Sequence, residues 1–254
     1  MLAIHAVPAF KDNYIWMVES GGRAAAVDPG DAAPVERFLE ERGFTLAAIL
    51  ATHHHQDHVG GLRALAAHWK CPTFGPAREA VAGLDHRLSE GDRIRVPGIE
   101  VDLETFDIPG HTAGHIALFG AGMVFCGDTL FACGCGRLFE GTPAQMVDSL
   151  AKLSALPGET RVYCGHEYTL ANIGFAEAVE PGNGALAARK AREAAKRERG
   201  LPTLPSTVAE ERATNPFLRC GQPEIIASAE RHARRRLAGG VEVFATLRDW
   251  KNTY

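Results

Sequence analysis

"THHHQDH", Thr52 to His58, puts four histidines and an aspartate into seven positions, directly after the uncharged run "LAAILA", Leu46 to Ala51. A short apolar run bounded by polar residues reads as a buried strand. Its end is a rigid place from which side chains can enter a cleft. In extended chain residues i and i+2 point the same way, so His53 and His55 converge on one ion. Asp57 and His58 follow after the chain has turned and face a second ion. Imidazole and carboxylate suit borderline divalent metals such as zinc, iron or manganese.

The rest of the chain repeats the device. "PGHTAGH" offers His111, "FCGDTLF" offers Asp128 and "VYCGHEY" offers His166, each after an apolar run that ends in Gly. A closed structural zinc site takes four ligands, mostly Cys. Seven candidate ligands without a Cys point instead to an open site with two ions. His54 and His115 lie inside these motifs but out of phase, and are expected to hydrogen-bond the ligands. His5, His68, His86 and His232 belong to no constellation and read as ordinary polar residues.

Around these motifs, "YIWMVES" and "RAAAVDPG" read as two strands joined by Gly21-Gly22. "AAPVERFLEERG" reads as a helix with Pro34 near its start and Gly43 past its end. "VGGLRALAAHWK" and "TPAQMVDSLAKLSAL" are helical, the latter with Thr142 as N-cap. "IEVDLETFDIPG", "HIALFGAGMVFCGD" and "TRVYCGHE" supply strands. Hairpins mixed with strand–helix alternation suit two sheets flanked by helices, an α+β arrangement. Beyond Tyr168 strand signals stop, which divides the chain into residues 1–168 and a helical region, residues 169–254.

The net charge of −4 and the lack of a basic stripe with interleaved aromatics argue against nucleic acid as a partner. Residues 1–168 carry 13 Lys and Arg against 21 Asp and Glu, whereas residues 169–254 carry 14 against 10. "ARKAREAAKRER", Ala188 to Arg199, spreads its charges on every side of a helix and reads as solvated surface. No run approaches the about 18–20 apolar residues that cross a bilayer. The N-terminus has no secretory pattern. Six scattered cysteines fit reduced thiols and a cytoplasmic protein, with Cys133 and Cys135 in a tight Gly-rich turn.

H-x-H-x-D-H followed by His111, Asp128 and His166 resembles the metallo-β-lactamase superfamily. The resemblance implies a four-layer αβ/βα sandwich with a binuclear site. His53, His55 and His111 would hold one ion, and Asp57, His58 and His166 the other. Asp128 would bridge them together with a hydroxide. Asp57 would orient or accept that hydroxide's proton. Within the superfamily, "PAFKDNYIW" at Pro8–Trp16, "GCGRLFEGT" at Gly134–Thr142, "YCGHEYT" at Tyr163–Thr169 and "NPFLR" at Asn215–Arg219 are similar to glyoxalase II, the hydroxyacylglutathione hydrolases. That likeness implies a C-terminal helical domain for glutathione, held by Arg137, Tyr168, Arg248 and Lys251; zinc is the default ion and a monomer is expected. Phe139 stands where the family often has Tyr, and Arg137 where Lys is more familiar. The implied reaction is hydrolysis of S-(2-hydroxyacyl)glutathione, typically the D-lactoyl thioester, the second step of methylglyoxal detoxification. The rivals are a β-lactam or lactone hydrolase and a mononuclear-iron persulfide dioxygenase.

Overall fold

The computed structural model describes residues 2–254. One sheet is built by β1 (Ala3–Ala9), β2 (Asn13–Ser20), β3 (Arg23–Val27), β4 (Thr45–Leu50), β5 (Thr73–Pro76) and β6 (His86–Leu88), side by side in chain order. The first three run antiparallel and the last three join in parallel. The second sheet is formed by β7 (Arg93–Val96), β8 (Val101–Asp107), β9 (Ile116–Gly120), β10 (Met123–Gly127), β13 (Arg161–Cys164) and β14 (Ser206–Thr207). Its order is β14-β13-β10-β9-β8-β7, with β10 and β13 parallel. A small hairpin, β11 (Leu130–Phe131) and β12 (Gly134–Cys135), carries the C-x-C turn, where Cys133 takes a left-handed φ of 56°.

The helices of the first part are α1 (Ala32–Arg42), α2 (Gln56–Val59), α3 (Leu62–Trp69) and α4 (Pro143–Ser154). The expected caps form. Gly43 closes α1 at φ 66°, and Thr142 starts α4 in a reciprocal bond with Gln145. The second part holds α5 (Thr169–Val179), α6 (Gly184–Glu198), α7 (Val208–Thr214), α8 (Pro223–Ala233) and α9 (Gly240–Thr253).

Side-chain alternation makes the layers. On β2, Tyr14, Trp16 and Val18 enter the core between the sheets, while Ile15 and Met17 face outward to Val35 and Leu39 of α1 and Leu62 and Leu65 of α3. A strand buried on both faces reads as a continuous apolar run, and this explains "YIWMV". The larger core continues without a break from Val124 and Phe125 of β10 to Phe175, Val179, Ile225 and Phe244 of the C-terminal helices.

Two expectations need correction, and one stretch holds strands that none of them covered. The C-terminal region does hold a strand, because Ser206 and Thr207 pair with Val162 and Arg161 at the sheet edge. Two residues are too few to show a period. Residues 73–96, to which the sequence reading assigned no element, supply three short strands of three or four residues each. The charge-rich α6 is not all solvated surface: Arg189 and Glu193 are each 1% exposed. Arg189 Nη2 donates to Glu211 at 2.7 Å and Nη1 to Thr214 Oγ1 at 2.7 Å, so a paired charge goes inside.

Candidate metal centre

All seven expected ligands converge, each just past the end of a strand: residues 53–58 after β4, His111 after β8, Asp128 after β10 and His166 after β13. The centre therefore sits on the seam between the two sheets. Donor atoms of His53, His55 and His111 lie within 4.8 Å of one another, as do those of Asp57, His58 and His166. Asp128 Oδ2 reaches both groups, 3.4 Å from His111 Nε2 and 3.3 Å from His166 Nε2. Its carboxylate therefore lies between the two groups.

The imidazole tautomers follow from their partners. Asp28 Oδ2 takes the Thr52 hydroxyl proton at 2.7 Å. Thr52 Oγ1 then accepts from His53 Nδ1 at 3.1 Å, which leaves the Nε2 lone pair free. His53 is fully buried and its Nε2 has no hydrogen-bond partner. His111 Nδ1 donates to the Arg137 carbonyl at 2.9 Å, His58 Nδ1 to Asp28 at 3.1 Å and His166 Nδ1 to Asp12 at 2.8 Å. Each ring is thus oriented by one nitrogen and offers the other inward. Two such lone-pair nitrogens then face one another 3.4 Å apart, His58 Nε2 and His166 Nε2, and His111 Nε2 lies 3.0 Å from His55 Nδ1. The His58–His166 contact repels unless a cation lies between, and with the two clustered donor groups this fits divalent metal ions.

The electrostatics differ between the two groups. Burial pushes the pKa of His53 well below the ordinary imidazole value, and it lowers His55 and His111 too, favouring the neutral, ligating form, whereas against burial Asp128 and Asp28 raise that of His58 and Asp128 and Asp12 that of His166, so the second group draws positive charge. Burial opposes ionisation of Asp128, yet His58 and His166 hold it well below the usual carboxylate range. The same contest lowers Asp57, through His58 and the Asn13 amide, which donates to its Oδ2 at 3.0 Å. Gly165 leaves room for all this: a Cβ there would stand 2.5 Å from His58 Cε1 and 2.7 Å from Asp128 Oδ1.

Sequence reasoning missed the residues that orient the ligands. Asp28, Asp12 and Asn13 were not singled out. Asp28 ends the apolar run "AAAVD" as Asp128 ends "VFCGD", so the rule that found one could have found the other. His115 acts as expected. It stacks on His53 at 4.5 Å, and its Nε2 accepts from the Asp128 backbone at 3.1 Å. His54 does not bond a ligand; it lies between Glu79 and Glu140. His68 bonds Glu36, while His5, His86 and His232 pack on Phe38, Phe74 and Trp250.

The centre opens into a cavity of about 850 Å³ lined by Arg137, Phe139, Tyr168, Arg248 and Lys251. Phe139 stands edge-on to His111 at 5.2 Å and His55 at 5.7 Å, and is 63% exposed. Tyr168 stacks flat on His166 at 4.7 Å. Arg137 is exposed. Arg248 is not the surface charge its position suggests: it is 4% exposed, and its Nη1 donates to the Cys135 carbonyl at 2.7 Å. Lys251 bonds Asn172 Oδ1 at 2.6 Å, and burial together with the Arg248 charge pushes its pKa down to about 8. "NPFLR" works from beneath. Asn215 Nδ2 ties the carbonyls of Phe131 and Gly134 at 3.1 and 2.9 Å and so fixes the β11–β12 hairpin.

Comparison with known proteins accords with this geometry. Residues 10–166 match the metallo-beta-lactamase superfamily and residues 167–254 the hydroxyacylglutathione hydrolase C-terminus. The chain is 53% identical to hydroxyacylglutathione hydrolase of Nitrosomonas europaea, covering 100% of this chain and 97% of that one. It is 56% identical to the protein of the same name from Alkalilimnicola ehrlichii, covering 99% of each. The solved structure of ETHE1 from Myxococcus xanthus superposes with a TM-score of 0.66 at 24% identity, covering 100% of this chain and 99% of that one, a likeness of fold. Fold, donor set and full-length identity together make this chain a member of the hydroxyacylglutathione hydrolase family, within the metallo-β-lactamase superfamily.

Proposed function

We propose that the protein hydrolyses S-(2-hydroxyacyl)glutathione, S-D-lactoylglutathione foremost, to glutathione and a 2-hydroxy acid, as in the second step of methylglyoxal detoxification. One observation carries the reading: two oriented donor groups joined by Asp128 open into a single cavity that also presents Arg137, Tyr168, Arg248 and Lys251. In this reading residues 1–168 are the catalytic unit and residues 169–254 the glutathione-binding unit. Cations on the cavity wall suit a tripeptide with two carboxylates.

His53, His55 and His111 would hold one ion and Asp57, His58 and His166 the other, with Asp128 shared. Zinc is the ion we assign by default, while iron and manganese suit the same donors. When bound, such a pair lowers the pKa of water from about 15.7 to about 7 and stabilises a developing oxyanion. Asp57 stays ionised, and its Oδ2 is taken by Asn13. Oδ1 is then available to accept a proton from the attacking water. Asp128 keeps its charge between the two donor groups. Tyr168, whose phenol pKa is raised by burial and by Asp12, remains a protonated donor beside the cavity. The leaving thiolate belongs to a thiol of pKa about 8.5 and needs no strong general acid.

A mononuclear reading would leave His58 and His166 idle, whereas Asp28 and Asp12 orient each of them. Six free cysteines support a cytoplasmic setting. No helix among the described residues is long and apolar enough to cross a membrane. We expect a monomer with no nucleic-acid partner. The test is thiol release from S-D-lactoylglutathione by metal-analysed protein, with a β-lactam in parallel. A two-metal protein that releases no thiol overturns the proposal.

A further inference from the structure

Glu79 lies outside the ligand set, in the loop after β5, and its side chain is 2% exposed. A carboxylate is kept in so dry a position only when its lone pairs are met. Glu79 Oε1 accepts from the Thr112 hydroxyl and, at 3.1 Å, from the Gly114 backbone, while Oε2 lies 2.9 Å from His54 Nδ1. Thr112 and Gly114 follow His111 in sequence, and His54 stands between His53 and His55. One buried side chain therefore joins the two loops that carry the three donors of the first group. Glu140 repeats the tie from the outer side: its Oε2 accepts from the Ala113 backbone at 2.8 Å, and its Oε1 lies 3.3 Å from His54 Nε2. The seat is close. A Cβ on Gly114 would stand 2.6 Å from Glu79 Cγ. The second group, Asp57, His58 and His166, takes its support from Asn13, Asp28 and Asp12 instead.

We infer that Glu79 is a positioning residue for one half of the centre, setting the spacing of His53, His55 and His111 by fastening the His54 and Thr112–Gly114 segments to each other. An apolar residue of similar size would leave a hydroxyl, a backbone N–H and an imidazole nitrogen without partners in a buried place. Supporting groups of this kind change metal affinity by roughly 10–100-fold when altered. The inference rests on the metal-binding part of the proposed function and not on its substrate.

The experiment isolates each half-site. In a His166→Ala background the first group alone is complete; in a His111→Ala background only the second is. The dissociation constant of Zn(II) is measured in each by competition with a chromophoric chelator. Glu79→Gln is expected to weaken zinc about 10-fold or more in the first background and to leave the second unchanged. Thr112→Val, which removes one bond and no charge, is expected to produce a smaller loss in the first background only. Unchanged affinity in the first background, or equal weakening in both, overturns the inference. If neither background holds zinc, stoichiometry in the otherwise wild-type chain decides. One zinc retained by Glu79→Gln supports the inference, and two or none overturns it. Absence of zinc from the wild-type protein would overturn the metal reading itself.

Discussion

Asp28 accepts three hydrogen bonds, from Thr52 N, Thr52 Oγ1 and His58 Nδ1, and touches no reacting atom. Asp28→Asn keeps its shape but turns one acceptor into a donor, which misorients His58 and, through Thr52, His53. Zinc affinity should fall roughly 10–100-fold while far-ultraviolet dichroism is unchanged; unaltered affinity in a chelator titration would contradict this role. Lys251 makes a pH prediction. Its pKa is depressed to about 8, so it is charged below that value and loses its proton as pH rises through it. If Lys251 holds a substrate carboxylate as proposed, that cation is then lost, and kcat/KM for the glutathione thioester should decline above about pH 8. Lys251→Arg, always charged, should remove that limb. The ligands were legible because imidazoles after apolar runs are rare. Asp12 was not, because an Asp beside Lys looks like any surface residue, whereas Asp28 carried the same signal as Asp128 and was passed over for the Pro-Gly turn beside it.

The elements show where a charge pattern misleads. On α6, Arg189 enters the interior and meets Glu211, whose carboxylate also accepts from Cys133 N at 2.8 Å and Asn215 Nδ2 at 3.0 Å. The pair thereby couples α6 and α7 to the hairpin that leads to Arg137. Arg189→Met strands a buried carboxylate. It should cost about 3–5 kcal/mol of stability, seen in denaturant unfolding; a loss below about 1 kcal/mol would show the site to be wet. Six cations in twelve residues hide one that is turned inward, since helical spacing shows the faces but not which one is covered. β8 was readable from alternation and β2 and β4 as buried apolar runs, whereas β1, as long as β8, was not read. Strands of two to four, such as β6 and β14, exist because a longer neighbour offers an edge.

The whole molecule was legible as two sheets with helices, because β2 and β4 read as buried on both faces. It was not legible that the C-terminal helices share the core of the second sheet, which no local pattern records. The seam is already stitched by Tyr14 N to Gly165 O at 2.8 Å, Trp16 Nε1 to Cys164 O at 2.9 Å and Ile116 N to Thr52 O at 3.0 Å. The ligands straddle that seam, with residues 53–58 from one sheet and His111, Asp128 and His166 from the other. Ions held there would cross-link the halves of the fold as well as serve the reaction. Free metal at 100 times its dissociation constant stabilises a folded chain by about 2.7 kcal/mol per site. The melting temperature should climb by roughly 5–10 °C across that range and fall when a chelator is added. A metallohydrolase built this way loses its rivets and its reaction together, and metal-starved protein becomes the form most exposed to proteolysis.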